Sequence, residues 1–518
     1  MRTCRGHNLI AWFCLSLVGT FAITAGCNPR RPFKLRDSWS STASYHKTVA
    51  TQIEYPNVQS YLHPETMHVP EPFRLENPAE LPNRELALQE AINYALNNGD
   101  VLRSLNASVV QINPLGVLTK LNPALTESDP RFGIEAALSA FDAQVIGRLF
   151  WQKDDRPVNI DISDPIIGFF QVANFIQNAA NFSYEISKRT ATGASFAARH
   201  VVAYDLNNTP NRLYNGAYAG WFEAEYRQPL MRGSGVQYNR IAGPGSPNGV
   251  YNGVLIARIN TDISLADFEA GIIDYVNGIE TAYWELYFAY HNLEALVAGR
   301  NSALLTWQRV KELERVGARG GDAAAEAQAR SQYYNFDVQV KDALTGVRGV
   351  YAVGQNLRYL MGLPATDGFL LKPVSSPMEG SVVYDWSSSI SDALTCRVEI
   401  RRQKWSVKRR ELELIAARLN RRPTLDFVGQ YRFRGFGDNL IDGYAAESSN
   451  SLYQDIFTGK YQEWLAGVEW GYPIGLRQAG SAVTNARLNL AREQAILQES
   501  ELRISHDLSS ASRAVSRA

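Results

Sequence analysis

The sequence predicts a mixed α and β protein, with long helices paired as an antiparallel coiled-coil hairpin and short aromatic strands forming a two-faced sheet. Three observations predict it. Apolar residues recur in heptads between Ser264 and Val310, and four stretches alternate apolar and polar residues with a period of two. The order helix, strand, strand, long helix also occurs twice along the 518 residues, which indicates a duplicated half.

Taken in chain order, residues 1–26 read as an export signal. Arg2 and Arg5 precede the largely apolar run Asn8 to Ile23, and Thr24-Ala25-Gly26 lead into Cys27. The run is shorter than the roughly 20 apolar residues of a spanning helix. Ile23-Thr24-Ala25-Gly26-Cys27 resembles the bacterial lipobox, which makes Cys27 the expected site of lipidation. Its acyl chains would anchor the mature chain to a membrane. Residues 27–82, rich in Pro, Ser, Thr and His, read as an extended tether.

From Asn83 the pattern turns helical, with Leu86, Leu88, Ala91, Ile92, Ala95 and Leu96 on one side, and a second helical piece covers Gly133 to Phe141. Strands are expected near 143–151 and 218–229. In the second of these, Phe222, Ala224 and Tyr226 alternate with Glu223, Glu225 and Arg227. The stretch Phe182 to Tyr204 looks like a hairpin. It either extends the first strand pair outward or adds strands, and the pattern does not decide which.

A coiled-coil hairpin is expected over 254–361. Its outgoing seam is Phe268, Ile272, Tyr275, Ile279, Ala282, Leu286, Ala289, Leu293 and Leu296, at spacings of 4-3-4-3-4-3-4-3. A helix from Val254 to Val316 would be on the order of 90 Å long. Gly317 to Gly321 supply the turn. The return seam is Val340, Ala343, Val347, Val350, Gly354, Leu357 and Met361, and Gly362-Leu363-Pro364 stop it.

Residues 365–390 read as a linker. A helix from Asp392 to Asn420 follows, with a seam at Leu394, Val398, Trp405, Leu412, Ile415 and Leu419. Its basic residues are interleaved with Glu399, Glu411 and Glu413, the composition of a solvated or lumen-facing helix face rather than of a nucleic-acid site. The net charge of zero, from 52 Lys and Arg against 52 Asp and Glu, also excludes a polybasic nucleic-acid binder. Strands are expected near 424–434 and 464–473. There Phe427 and Tyr431 alternate with Asp426, Gln430 and Arg432, and Val468 and Trp470 lie on one side.

Ten-residue strands with one aromatic and one polar face are the pattern of a transmembrane barrel, and equally of a half-buried strand in a soluble sheet. The lipoprotein-like start and the neighbouring helical hairpin favour the barrel. No later stretch holds 18 uninterrupted apolar residues, so a membrane crossing would have to be a closed barrel. On that reading Glu223, Glu225, Arg227, Asp426, Gln430 and Arg432 line a wet lumen. Phe222, Tyr226, Phe427, Tyr431, Val468 and Trp470 face lipid.

The duplication shows in short matches. Gln228-Pro229-Leu230 ends a strand before one long helix and Tyr472-Pro473-Ile474 before the other, while Ala257-Arg258-Ile259-Asn260 matches Ala486-Arg487-Leu488-Asn489. The repeats are assigned to 83–364 and 391–518. The second is expected to be incomplete, since Asn260 to Met361 spans 101 positions and Asn489 to Ala518 only 29.

The lipobox, the Ala-rich helix, the aromatic strand ending in Gln228-Pro229-Leu230, Ala257 to Asn260, and the hairpin closing on Leu357 to Pro364 follow in that order. The series resembles the TolC-type outer membrane efflux family over residues 83–518. The resemblance implies a homotrimer whose chains each give four strands to a twelve-stranded barrel, with helices forming a tunnel in the periplasm. It also implies an outer-membrane channel working passively with a periplasmic adaptor and an inner-membrane pump. In the family the gate lies partly at the turn missing from the second repeat, so no gate residues carry over.

No catalytic, phosphate-cradling or metal-ligating motif is present, and neither an enzyme nor a cofactor is expected. Gly233-Ser234-Gly235 and Gly435-Phe436-Gly437 are read as turn glycines. The scattered His residues and the single remaining thiol, Cys396, have no catalytic context. The alternative to a channel is a lipid-anchored coiled-coil scaffold or adaptor, which has no need of a lipid-facing aromatic band.

Overall fold

The computed structural model describes residues 70–73, 82–105, 117–160, 171–380, 383–441 and 451–517. The export signal, Cys27 and nearly all of the tether lie outside the described residues. The chain divides into two compact units. One is built from Thr126–Thr261 and Gln403–Glu499, the other from Asp262–Arg402 with the described parts of Thr42–Leu125 and Ser500–Ala518.

The second unit begins with a departure from the helical pattern. Asn83–Leu86 form strand β1, and the helix (α1, Leu88–Asn97) starts only afterwards. The backbone of β1 finds its partners in strand β6 (Leu370–Pro373), paired parallel from Asn83↔Leu370 to Leu86↔Pro373. Tertiary pairing with a segment expected to be linker thus overrides local helical periodicity. Tyr283, fully buried, fixes this corner: its hydroxyl donates to the Leu86 carbonyl at 2.9 Å and accepts from the Ser375 amide at 3.0 Å.

In chain order two short helices, α2 (Asn122–Glu127) and α3 (Ile134–Ser139), come after α1 and before the strands of the main sheet, and α4 (Val236–Ala242) follows that sheet's fourth strand. The outgoing helix of the hairpin, α5, runs 62 residues from Val254 to Arg315. Tyr275, Ile279, Ala282, Leu286, Ala289 and Leu293 of the expected seam are buried in one apolar cluster with Val340, Val350, Leu357 and Met361 of the return. The contacts run antiparallel: Trp307 Nε1 donates to Glu326, Gly299 abuts the Phe336 ring, and Tyr275 donates to the Leu360 carbonyl at 2.6 Å.

The return is two helices rather than one, α6 (Ala323–Thr345) and α7 (Val350–Met361). Gly346 and Gly349 adopt extended backbone between them, and Val347, expected in the seam, is 91% exposed at that break. Gly362 caps α7 in the left-handed conformation at φ 73°, as the Gly-Leu-Pro stop requires.

The helix preceding the second strand pair is likewise split, into α8 (Trp386–Cys396) and α9 (Val398–Asn420), with extended Arg397 between them. Cys396 is a free, exposed thiol. The basic residues find carboxylates: Arg401 pairs with Glu269, Arg402 with Asp267, and Arg410 with Glu413 and Glu493. Within the first unit the buried residues of α9 are Gln403, Ser406, Leu414, Ala416, Ala417 and Asn420, while Leu412 and Leu419 of the expected stripe are half-buried against the cluster of Tyr238, Ile241 and Ala416. Ile415 is 43% exposed. The full buried set was hidden because three of its members, Gln403, Ser406 and Asn420, are polar; Gln403 is satisfied by donating to the backbone and carboxylate of Glu493.

The first unit holds the sheet: β2 (Gln144–Pro157), β3 (Asn174–Arg189), β4 (Ser195–Asn207), β5 (Gly216–Pro229), β7 (Thr424–Gly437) and β8 (Tyr461–Gly471). Their order is β2-β3-β4-β5-β7-β8, every neighbour antiparallel. A short helix, α10 (Leu452–Thr458), sits between β7 and β8 in sequence, and α11 (Arg477–Arg517) follows β8.

One expectation is corrected here. The chain contributes six strands to the sheet, not four, because the ambiguous hairpin stretch became β3 and β4 within it. The halves are therefore unequal, with four strands in the first and two in the second. The sheet is also open. Among the described residues neither β2 nor β8 has a partner along its outer edge. No described helix is long and apolar enough to cross a membrane.

Candidate functional site: a two-faced sheet

Period-two geometry sorts each strand into two faces, and the register then aligns those faces across all six strands. Phe222 stands opposite Phe433, Ala224 opposite Tyr431 and Tyr226 opposite Gly429. Continuing outward, Tyr431 faces Trp464 and Phe427 faces Val468, with Trp470 two residues beyond. In the other direction Phe222 aligns with His200, Tyr226 with Phe196, and His200 with Tyr184. The six residues expected on the apolar side are thus on one face, and the register carries that face on to Leu149 and Trp151 of β2.

Exposure divides this face. Phe427 (38%), Tyr431 (37%), Val468 (61%) and Trp470 (68%) are open, and so are Trp464, Trp151 and Phe196. Tyr226 packs its ring 4.8 Å from Phe196 and 6.5 Å from Phe427. Phe222 is different. It stacks on His200 at 4.2 Å and lies in a cluster with Val202, Phe433 and the buried Leu452 and Ile456 of α10. Seating α10 requires glycine. A Cβ on Gly435 would meet the Leu452 carbonyl at 2.3 Å and Ile456 Cγ1 at 2.7 Å, and one on Gly220 would meet Leu452 at 3.2 Å. Gly435 is therefore a seat for a helix and not a turn residue.

The opposite face is a ladder of charge. Arg199 donates to Glu185 (2.8 Å), Glu223 (2.5 Å) and Glu225, and Arg432 donates to Glu223 and lies 3.7 Å from Glu463. Arg434 reaches Glu463 at 3.0 Å, and Arg227 bridges Asp426 (3.2 Å) and Glu469. Gln430 hydrogen-bonds Glu223. All six residues expected on the polar side are thus brought together. Glu223 is the centre: it comes from β5, its side chain is only 3% exposed, and it is held between Arg199 of β4 and Arg432 of β7.

Arg199, Glu185, Glu463, Arg434 and Glu469 were not singled out from sequence. Period-two alternation assigns each of them a face, but only the pairing of strands far apart in the chain shows which charge each will meet. Trp221 also lies on this face, with the Arg434 guanidinium 5.1 Å from its ring centre. No cluster of His, Cys, Asp and Glu able to hold a metal occurs among the described residues.

Chemically, one face carries charge-assisted hydrogen bonds from β3 across to β8 and suits water there, although Ile146, Phe150 and Leu465 are also exposed on it. The other offers aromatic and aliphatic groups that water solvates poorly. Each strand is at least as long as the roughly 9–11 residues needed to cross a bilayer obliquely.

No protein-family model matches the chain, and no curated protein matches it in sequence. Solved structures do. The Campylobacter jejuni CmeC outer membrane channel is similar at 14% identity over 80% of this chain and 68% of its own, with a TM-score of 0.47. The Vibrio cholerae outer membrane protein VceC is similar at 12% identity over 82% and 79%, also at 0.47. The Neisseria gonorrhoeae MtrE outer membrane channel is similar at 12% identity over 83% and 72%, with a TM-score of 0.42. Outer membrane channels are therefore among the solved proteins to which this chain is similar.

Proposed function

We propose that the chain is the outer-membrane channel component of an export system, a passive conduit working with an inner-membrane pump and a periplasmic adaptor. The observation that carries this is the two-faced sheet, with an open aromatic band on one side and a continuous ion-pair ladder on the other. A bilayer-spanning sheet must satisfy its backbone by closing. Among the described residues this sheet has two free edges, so closure calls for several copies, a homotrimer by the resemblance.

In that assembly Glu223, Glu225, Arg227, Asp426, Gln430 and Arg432 line the water-filled bore. Tyr226, Phe427, Tyr431, Val468 and Trp470 meet lipid, while Phe222 supports them from beneath α10. The helices extend into the periplasm, where their opening gates flow, and the pump supplies the energy. Acylated Cys27 is a second anchor in the outer membrane. The repeats 83–364 and 391–518 are two versions of one unit, the first enlarged by a hairpin.

The test is outer-membrane fractionation with cross-linking, followed by conductance of the purified protein in a planar bilayer. A membrane-embedded oligomer with discrete conductance steps is expected. A soluble monomer, or oligomers that conduct nothing, overturns the proposal.

A further inference from the structure

We infer that the β3–β4 hairpin is part of the membrane wall, so that each copy supplies six strands, and that β8 of one copy pairs with β2 of a second copy. The inference rests on the channel reading above and concerns how the wall is built. The hairpin does not leave the sheet. Its register with β2 runs without interruption from Gln144↔Ser187 to Pro157↔Asn174, and between its own strands from Arg189↔Ser195 to Gln177↔Asn207. It repeats the two faces of its neighbours, with Tyr184 and Phe196 on the aromatic side and Glu185 and Arg199 on the charged side. Arg199 ties it into the ladder through Glu223 and Glu225.

The edges point to their occupant. Strands of 14 and 11 residues that expose Trp151 (75%) and Trp464 (76%) present unpaired backbone and large apolar groups together. Such edges are left uncovered only at the risk of aggregation. Six alternating strands place β2 and β8 in opposite directions, so β8 meets β2 of a second copy antiparallel, with both faces continuous across the seam. The contact is head-to-tail and generates a ring. With the three copies proposed above the wall has eighteen strands. Barrel diameter grows roughly linearly with strand number, so the bore is about one and a half times that of a wall with four strands per copy.

The test uses the full chain with Cys396→Ser, reconstituted in phospholipid vesicles and carrying single cysteines at neighbouring positions. Ala197→Cys (charged face) and Ala198→Cys (aromatic face) report on β4, and Leu465→Cys and Ala466→Cys report likewise on β8. A charged maleimide is expected to label 197 and 465 several-fold faster than 198 and 466. Fluorophores at 198 and 466 should be quenched several-fold more by a nitroxide on the lipid chains.

If 465 and 466 alternate while 197 and 198 both label from water, the hairpin stands outside the wall; the inference fails and the channel reading survives. If neither pair alternates, both fall. A photo-crosslinking residue at Phe150, in copies mixed with isotope-labelled chains, is expected to join β8 of a different copy. Capture of any other element, or of β8 within the same copy, overturns the edge pairing.

Discussion

The charge ladder makes its sharpest demand at Glu223, and Glu223→Gln tests whether it holds the sheet together. The carboxylate accepts from two guanidinium groups, Arg199 and Arg432, with almost no water in contact. A hydrogen bond to a charged group contributes about 1.5–3 kcal/mol net, and a neutral one about 0.5–1.5 kcal/mol. The amide retains one acceptor for one guanidinium and turns a donor toward the other, so one charge-assisted bond is lost and its fellow weakened. Arg199 keeps Glu185 and Glu225, and Arg432 keeps Glu463, so the cost falls short of that for an orphaned buried charge. The expected loss is about 2 kcal/mol, an increase in local opening of about 30-fold. Hydrogen exchange read by mass spectrometry should show amides of β5 and β7 accelerated by that order. Glu469→Gln is the control: it removes the same group from a largely exposed pair with Arg227, which is expected to leave protection unchanged. Unchanged exchange in Glu223→Gln, or equal acceleration in both variants, would refute the idea that the buried rung stabilises the sheet.

Other perturbations address the remaining parts. Tyr283→Phe leaves the Ser375 amide without the hydroxyl it donates to, while the Leu86 carbonyl keeps the Val374 amide at 3.1 Å; it should cost about 1–2 kcal/mol, seen as faster exchange in β1 and β6. Gly435→Ala should unseat α10, giving faster limited proteolysis between β7 and β8 with the rest of the sheet still protected. Burial alone would raise the Asp367 carboxyl, but hydrogen bonds from Arg358 and the Phe369 amide outweigh it and hold the group below its ordinary 3.8. A lowered folded value adds stability above the ordinary one, which is lost as pH falls through the folded value. Asp367→Asn should thus be less stable than the parent to urea at pH 7, the two converging in strong acid. Cys27→Ser should abolish an acyl-dependent mass increment on the mature N-terminus; an unmodified parent thiol there would end the lipidation proposal.

Much of this was legible because two periodicities survive in the sequence. The heptad of α5 predicted buried Tyr275, Ile279, Ala282 and Leu286, since a long helix with one apolar stripe has few other ways to bury it. The alternation in 220–228, 425–434 and 464–473 assigned the faces of the candidate site. Interruptions were not legible: Val347 continues the return seam perfectly in sequence, yet two extended glycines take it out of the helix. Nor was the strand count, because a hairpin that joins a sheet and one that leaves it alternate in the same way. Glu223 and Arg432 lie 209 positions apart, and nothing local to either names the other.

The site also fixes the register that brings those two together. A slip of one residue between β5 and β7 would turn Glu223 and Arg432 onto opposite faces, which the aromatic band forbids. Slips of two residues preserve the faces and need another barrier. In one direction Glu223 would stand opposite Gln430 and Glu225 opposite Val428, leaving the buried carboxylate one guanidinium fewer. In the other, Glu223 would face Arg434 and Glu225 would face Arg432, so charge alone would permit it. That slip instead brings Phe222 opposite Gly435, into the space where Leu452 and Ile456 of α10 sit against the Gly220–Gly435 pair. Charge on one face and a helix seat on the other therefore exclude different errors, and neither suffices without the other. Glycines and a short helix that look incidental in the sequence help decide which charges meet across the wet face.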